Sequence, residues 1–123
     1  MRGAVMSAQG EVREFHRKGV IDLFTLVTAE PDFLQGGKIA DRVIGRGAAL
    51  LLIKGGIKEV FAYVISEPAL EVLHANNIIV NYISLQLNII NRTGDGICPV
   101  EKLTADIDSP EEAYKKIKEF LKI

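Results

Sequence analysis

Ile57-Lys58-Glu59-Val60-Phe61-Ala62-Tyr63-Val64-Ile65, followed at once by Ser66-Glu67-Pro68-Ala69 and then by Ile78-Ile79-Val80-Asn81-Tyr82-Ile83, is the stretch that sets the fold class. Its first nine residues are rich in β-branched and aromatic side chains and read as a central strand. Ser66 suits a helix N-cap, where its hydroxyl can accept a first-turn N–H, and Pro68 suits a first turn that needs no N–H from it. The helix so opened runs to about His74 and stops at Asn76-Asn77. Residues 78–83 then read as a second strand. Strand, helix and strand in this rhythm imply βαβ crossovers and at least a partly parallel sheet.

Upstream, Gly36-Gly37 precedes a segment, Lys38 to Lys54, that is predicted as one long helix. Ile39, Val43, Ile44, Ala48 and Leu51 give it an apolar face, and Lys38, Asp41, Arg42 and Gly45 a polar stripe. Its second half, Ala48 to Ile53, is apolar all round and is expected to be buried on several sides; Gly55-Gly56 ends it. Val20, Ile21, Leu23, Phe24 and Val27 have the spacing of a further amphipathic helix, ended by Glu30-Pro31-Asp32. Val5 to Ala8 and Glu11 to His16, joined by Gln9-Gly10, read as a β-hairpin.

Downstream, Leu85 to Ile90 fits either a strand or a short helical turn, and a glycine-bearing loop follows it. Ser109-Pro110-Glu111-Glu112 is a capping box with proline at the first helical position, opening a terminal helix through Ala113, Ile117, Phe120 and Leu121. The expectation is one α/β domain over residues 1–123 with a mixed sheet.

Composition narrows the function classes. With 48% hydrophobic and 25% charged residues among 123, the chain has globular values. A formal net charge of −1 supplies no electrostatic footprint for nucleic acid or an anionic membrane. The longest apolar run is too short to span a bilayer, and Met1-Arg2-Gly3 leads into a strand pattern with no signal-peptide core. One cysteine allows no internal disulfide, which fits a reducing compartment, the cytoplasm.

Two places could carry chemistry. The first is Asn91-Arg92-Thr93-Gly94-Asp95-Gly96-Ile97-Cys98-Pro99-Val100-Glu101. Gly94 and Gly96 would let backbone N–H groups converge on a ligand, and Pro99 fixes the exit direction. Arg92 or the positive end of a nearby helix could lower the Cys98 pKa; the plain alternative is a buried thiol that behaves as a small hydrophobe. The second place surrounds Asp41, which lies among Lys38, Arg42 and Arg46. These charges can pair along a solvated face. Gly45 and Gly47, read as helical, would each cost about 1 kcal/mol relative to Ala, which implies close approach by a backbone or a ligand. Gly36-Gly37-Lys38 at a helix start could bind an anion, though it lacks the spacing of a phosphate-binding loop.

The histidines offer little. His16 lies in the first hairpin and His74 near a helix end, and with one cysteine no His/Cys cluster of zinc-ligand spacing can be built. His74-Ala75-Asn76 has the outline of a deaminase His-x-Glu, but Asn cannot act as general acid or base. No cofactor is implied.

Lys38-Ile39-Ala40-Asp41-Arg42-Val43-Ile44-Gly45-Arg46-Gly47, the run Ile65-Ser66-Glu67-Pro68-Ala69-Leu70-Glu71, and the Asn-Arg-Thr-Gly and Cys-Pro-x-Glu motifs of residues 91–94 and 98–101 together carry a resemblance. They resemble the small prokaryotic family numbered eighteen ninety-three among the domains of unknown function, from Gly36 onward and more loosely over the hairpin. The resemblance implies a cytidine-deaminase-like fold, a three-layer α/β/α sandwich with an N-terminal β-hairpin. It also implies a scaffold without the zinc site, since the matching helix starts carry Lys38 to Asp41 and Ser66 to Ala69 rather than ligands. Asp41, Asn91, Arg92, Cys98 and Glu101 fall on the family's motif positions.

Three functions stand side by side. Cys98 could be the nucleophile or redox centre of an enzyme or sensor, with Arg92 stabilising the thiolate and Asp41 or Glu101 handling protons. The chain could instead bind a small nucleotide-like ligand, with Lys38, Arg42 or Arg46 at its phosphate. A zinc deaminase with an unusual site is the third. A homodimer is expected from the deaminase-like resemblance, with the helix from Ala48 to Ile53 a candidate contributor to its interface. Every catalytic or binding reading that joins Cys98 to Asp41 requires that they share a pocket.

Overall fold

The alternation seen at residues 57–65 recurs one strand earlier, where helical spacing points elsewhere. The computed structural model describes residues 2–17, 19–90 and 96–122. In it Lys38–Ile44 is a strand, β3, and the helix α2 begins only at Arg46, running to Gly55. Gly45 caps α2 in an extended conformation, with φ −100° and ψ 179°. The single helix expected over 38–54 is therefore corrected to a strand and a helix. Ile39, Val43 and Ile44 fit helical and strand spacing alike, but they are β-branched, and β3 is paired on both edges. It lies antiparallel to β1 (Gly3–Met6), with Val5 opposite Ile39, and parallel to β4 (Glu59–Ser66), with Ile39 opposite Val60. Two full ladders outweigh a weak local preference for helix.

The hairpin of β1 and β2 (Val12–Phe15) and the parallel strand β5 (Ile79–Gln86) complete a five-stranded mixed sheet in the order β2-β1-β3-β4-β5. Leu85 and Gln86, ambiguous in sequence, finish β5. Helix α1 (Ile21–Ala29) links β2 to β3, α2 links β3 to β4, and α3 (Glu67–Ala75) links β4 to β5. The Ser66 hydroxyl caps α3 by accepting the Ala69 N–H at 3.3 Å. A short α4 (Pro99–Thr104) and a terminal α5 (Pro110–Leu121) follow, the latter capped by Ser109. No helix among the described residues is long and apolar enough to cross a membrane.

Val5, Ile39, Val60 and Ala62 pack with the apolar sides of α1, α2, α3 and α5 in one core. Ala48 to Leu52 are all buried, so α2 is the central helix and offers no apolar face to a partner. That withdraws it from the interface role expected of it. Fully burying one such Leu or Ile contributes about 1.5–3 kcal/mol. The alternate positions Phe61, Tyr63 and Ile83 are 42%, 58% and 61% exposed. Among the described residues no helix covers them, where a three-layer sandwich places its second helical layer.

Candidate functional site

In open α/β sheets the crevice beyond the carboxyl ends of the strands is the usual place for a ligand. Here a cavity of about 680 Å³ opens along the second half of β3 and the first turn of α2, lined by Asp41, Val43, Gly45 and Ala48. Phe15, Ile21 and Leu23 from β2 and α1 form one apolar wall. Ile89, Cys98 and Val100 form another, and Phe120 of α5 closes in. Arg2 and Arg17 add positive charge, Arg17 while paired with the Asp22 carboxylate at 2.5 Å.

Asp41 reaches this cavity because strand alternation places it on the inner face, opposite Ala62. Gly3 lies across from it in β1. A Cβ on Gly3 would sit 2.6 Å from the Ala40 carbonyl oxygen and 3.0 Å from the Asp41 carboxyl carbon, so the close approach of β1 requires glycine. The Asp41 carboxylate accepts the Arg42 N–H at 2.7 Å. Burial pushes its pKa up to about 6, against the Arg42 N–H and the charges of Arg2 and Arg42, which pull it down. Asp41 thus exchanges a proton within two units of neutrality.

Cys98 is a free, half-buried thiol that immediately precedes α4. Its N–H donates to the Ile89 carbonyl at 2.8 Å, and Ile97 forms an antiparallel bridge with Ile90, so Ile97 and Cys98 lie alongside Ile89 and Ile90. Asp41 and Cys98, distant in sequence, line the same space. Helix α4 itself escaped the sequence reading. Pro99 at its first position and Glu101 in its first turn were the available signals.

Glu101 is held by three hydrogen-bond donors. Its side chain is buried, the residue being 3% exposed. One carboxylate oxygen accepts the Arg46 N–H at 2.9 Å and the Ser66 hydroxyl at 2.7 Å. The other accepts the Ile89 N–H. The carboxylate therefore stands where the N-termini of α2 and α3 converge, and its charge complements the positive end of α2. It touches the cavity only as part of the wall.

The other predicted site residues fall in different places. Arg46 is buried, and its guanidinium donates to the carbonyls of Thr104 and Ile107 and to the Asp108 carboxylate. It holds α2 to the α4–α5 connection and is absent from the main cavity lining. Lys38 and Arg42 are exposed on β3 and do not line the cavity either. Gly36-Gly37 precedes a strand rather than a helix, so the anion site expected at a helix start there is withdrawn; Gly36 makes a left-handed turn at φ +71°. The helix that follows β3 starts at Gly45-Arg46-Gly47, not at Lys38 to Asp41. Gly96 is described, just ahead of the bridge at Ile97, whereas Asn91, Arg92 and Gly94 lie outside the described residues. Arg2 and Arg17 were missed, because a lone arginine near a strand looks like any solvated charge. Among the described residues no group of three His, Cys, Asp or Glu side chains is placed to hold a metal ion.

A family model described as "TM1506: Domain of unknown function (DUF1893)" matches residues 2–121. The chain belongs to this family. The DUF1893 assignment is matched in structure by the crystal structure of a DUF1893 family protein, TM1506, from Thermotoga maritima. It superposes with a TM-score of 0.87 at 26% identity, covering 97% of this chain and 80% of that one. No curated protein matches the chain.

Proposed function

We propose that the cavity between β3, α1 and α4 binds a small organic anion with a largely apolar body, and that Asp41 exchanges a proton with it. One observation carries the reading: Asp41, Cys98, Arg2 and Arg17 open onto one largely apolar cavity of about 680 Å³, within the usual range for small-molecule sites. Arg2 and Arg17 would meet the carboxylate or phosphate. Asp41, neutral below about pH 6, would donate a hydrogen bond to a ligand oxygen and accept one above that pH. Phe15, Leu23, Val43 and Phe120 would enclose the apolar body.

The nucleotide-like ligand expected from sequence is one member of this class. Its phosphate would meet Arg2, and Arg17 once it exchanges its exposed ion pair with Asp22 for the ligand, since Arg46 is buried and committed elsewhere. Thiol chemistry at Cys98 is the second reading, favoured by a half-buried thiol on the same wall. In that reading Asp41 is the nearby proton carrier, because Glu101 is held by three donors. We also propose that the chain is one deaminase-like domain working in the cytoplasm, where its thiol stays reduced. Supporting the deaminase-like part are the hairpin, the mixed sheet and the converging N-termini of α2 and α3; their meeting point carries Glu101.

A thermal-shift screen of aromatic and aliphatic carboxylates, nucleoside monophosphates and inorganic phosphate tests the binding reading. A compound that raises the melting temperature of the wild type and loses its effect in Arg2→Ala supports it. No stabilisation by any of them, or stabilisation that Arg2→Ala leaves intact, counts against it.

A further inference from the structure

The two edges of the sheet are not alike. Strand β2 is four residues long and carries Arg13 and Glu14, features that discourage pairing with another chain. Strand β5, Ile79-Val80-Asn81-Tyr82-Ile83-Ser84-Leu85-Gln86, is eight residues long with no charge, proline or glycine. Among the described residues no strand pairs with its outer edge. A long, uncharged open edge is a template for a further strand.

Exposure concentrates on the same element. Of the twelve exposed large hydrophobic residues described, five (Ile79, Tyr82, Ile83, Leu85 and Leu87) belong to β5 or the residue just beyond it. Pairing along this edge would give each of them a cross-strand neighbour and cover part of its apolar surface, with Ile79, Ile83 and Leu85 on one face of the sheet and Tyr82 on the other.

We infer that two copies of this chain associate by antiparallel pairing of β5 with β5, joining two five-stranded sheets into one of ten strands. A second copy fits the charge pattern: an uncharged strand meets itself without like-charge repulsion, and a two-fold axis satisfies both open edges at once. With the axis through Ile83, the two Ile83 side chains face each other and Asn81 faces Leu85. The Ile83 pair is an apolar, β-branched cross-strand contact, which favours this register. The inference stands on the edge of the sheet and is independent of the ligand proposed for the cavity.

Sedimentation velocity of the full chain tests it, with Ile83→Lys and Leu85→Lys on the proposed edge and Val12→Lys on the opposite one. The wild type is expected to have twice the chain mass. Ile83→Lys should raise the dissociation constant at least about a hundredfold, through like charges facing across the axis, and Leu85→Lys should weaken the dimer less, by placing a charge opposite Asn81. Their circular dichroism should be unchanged, and Val12→Lys should remain a dimer. A monomeric wild type, a dimer that survives both β5 variants, or one that Val12→Lys dissolves would overturn the inference. Hydrogen exchange of the wild type decides the matter if the lysine variants do not fold: protection of β5 amides must rise with protein concentration, and a flat response overturns the inference.

Discussion

The Ser66 hydroxyl donates to the Glu101 carboxylate at 2.7 Å across 35 residues of sequence, and the same hydroxyl accepts the Ala69 N–H that opens α3. With the Arg46 and Ile89 N–H groups on the same carboxylate, this bond ties α2, α3 and α4 together beside the cavity. Glu101 is thus a fixing point of the fold, where sequence reading offered it as a proton carrier.

Glu101→Ala leaves three donors in a buried place without an acceptor. Each lost partner costs about 1–3 kcal/mol, so a loss of roughly 3–5 kcal/mol in unfolding free energy is expected. Glu101→Gln keeps one acceptor oxygen but turns an amide N–H₂ toward a donor, and should fall between Ala and the wild type. Urea titration followed by circular dichroism measures both. A Glu101→Ala protein as stable as the wild type would contradict the fixing role.

Gly47 is buried in the first turn of α2, where an added Cβ would collide with Val100 of α4 and lie 3.5 Å from Ile117 and Thr104. Gly47→Ala would gain about 1 kcal/mol of helix propensity. Overpacking costs typically 1–3 kcal/mol, so a net loss of about 1 kcal/mol is expected. Adding Val100→Ala should recover it, and a double-mutant cycle reports the coupling. Additive effects would mean that the two residues do not press on each other.

Asp41 gives the protein a pH dependence of definite sign. Its folded pKa of about 6 exceeds the unfolded value of about 4, so the folded state binds its proton more tightly. The contribution of Asp41 to stability is full below about pH 4 and falls as pH rises toward 6. Partial exposure reduces the loss to roughly 1–2 kcal/mol. Asp41→Asn should remove this part of the slope and unfold at higher urea than the wild type at pH 7. Identical pH profiles would contradict the buried setting of Asp41.

Some of this was legible in sequence, and the misses have physical causes. β4, α3 and β5 were readable because Ser66 and Pro68 mark a helix start between two runs of β-branched residues. β3 was not, since Ile39, Val43 and Ile44 satisfy helical spacing and only pairing with β1 and β4 turns them into a strand. Once β3 is a strand, alternation separates Asp41 from Arg42: the carboxyl goes to the cavity and the cation to the opposite face. Helix α4 is too short for periodicity to reveal. Arg46 looked like a surface cation, and its burial under the carbonyls of Thr104 and Ile107 depends on how α4 and α5 fold back on α2.

The alkylation rate of Cys98 as a function of pH, in the wild type and in Asp41→Asn, tests most directly whether the two residues work in one cavity. If they do, ionised Asp41 repels an anionic reagent such as iodoacetate from the cavity, and the Asn protein should react faster with it above pH 6. Below about pH 5, where Asp41 is protonated, the two proteins should react alike. Superimposable profiles across the whole range, or a thiol that reacts only on unfolding, would contradict the shared site.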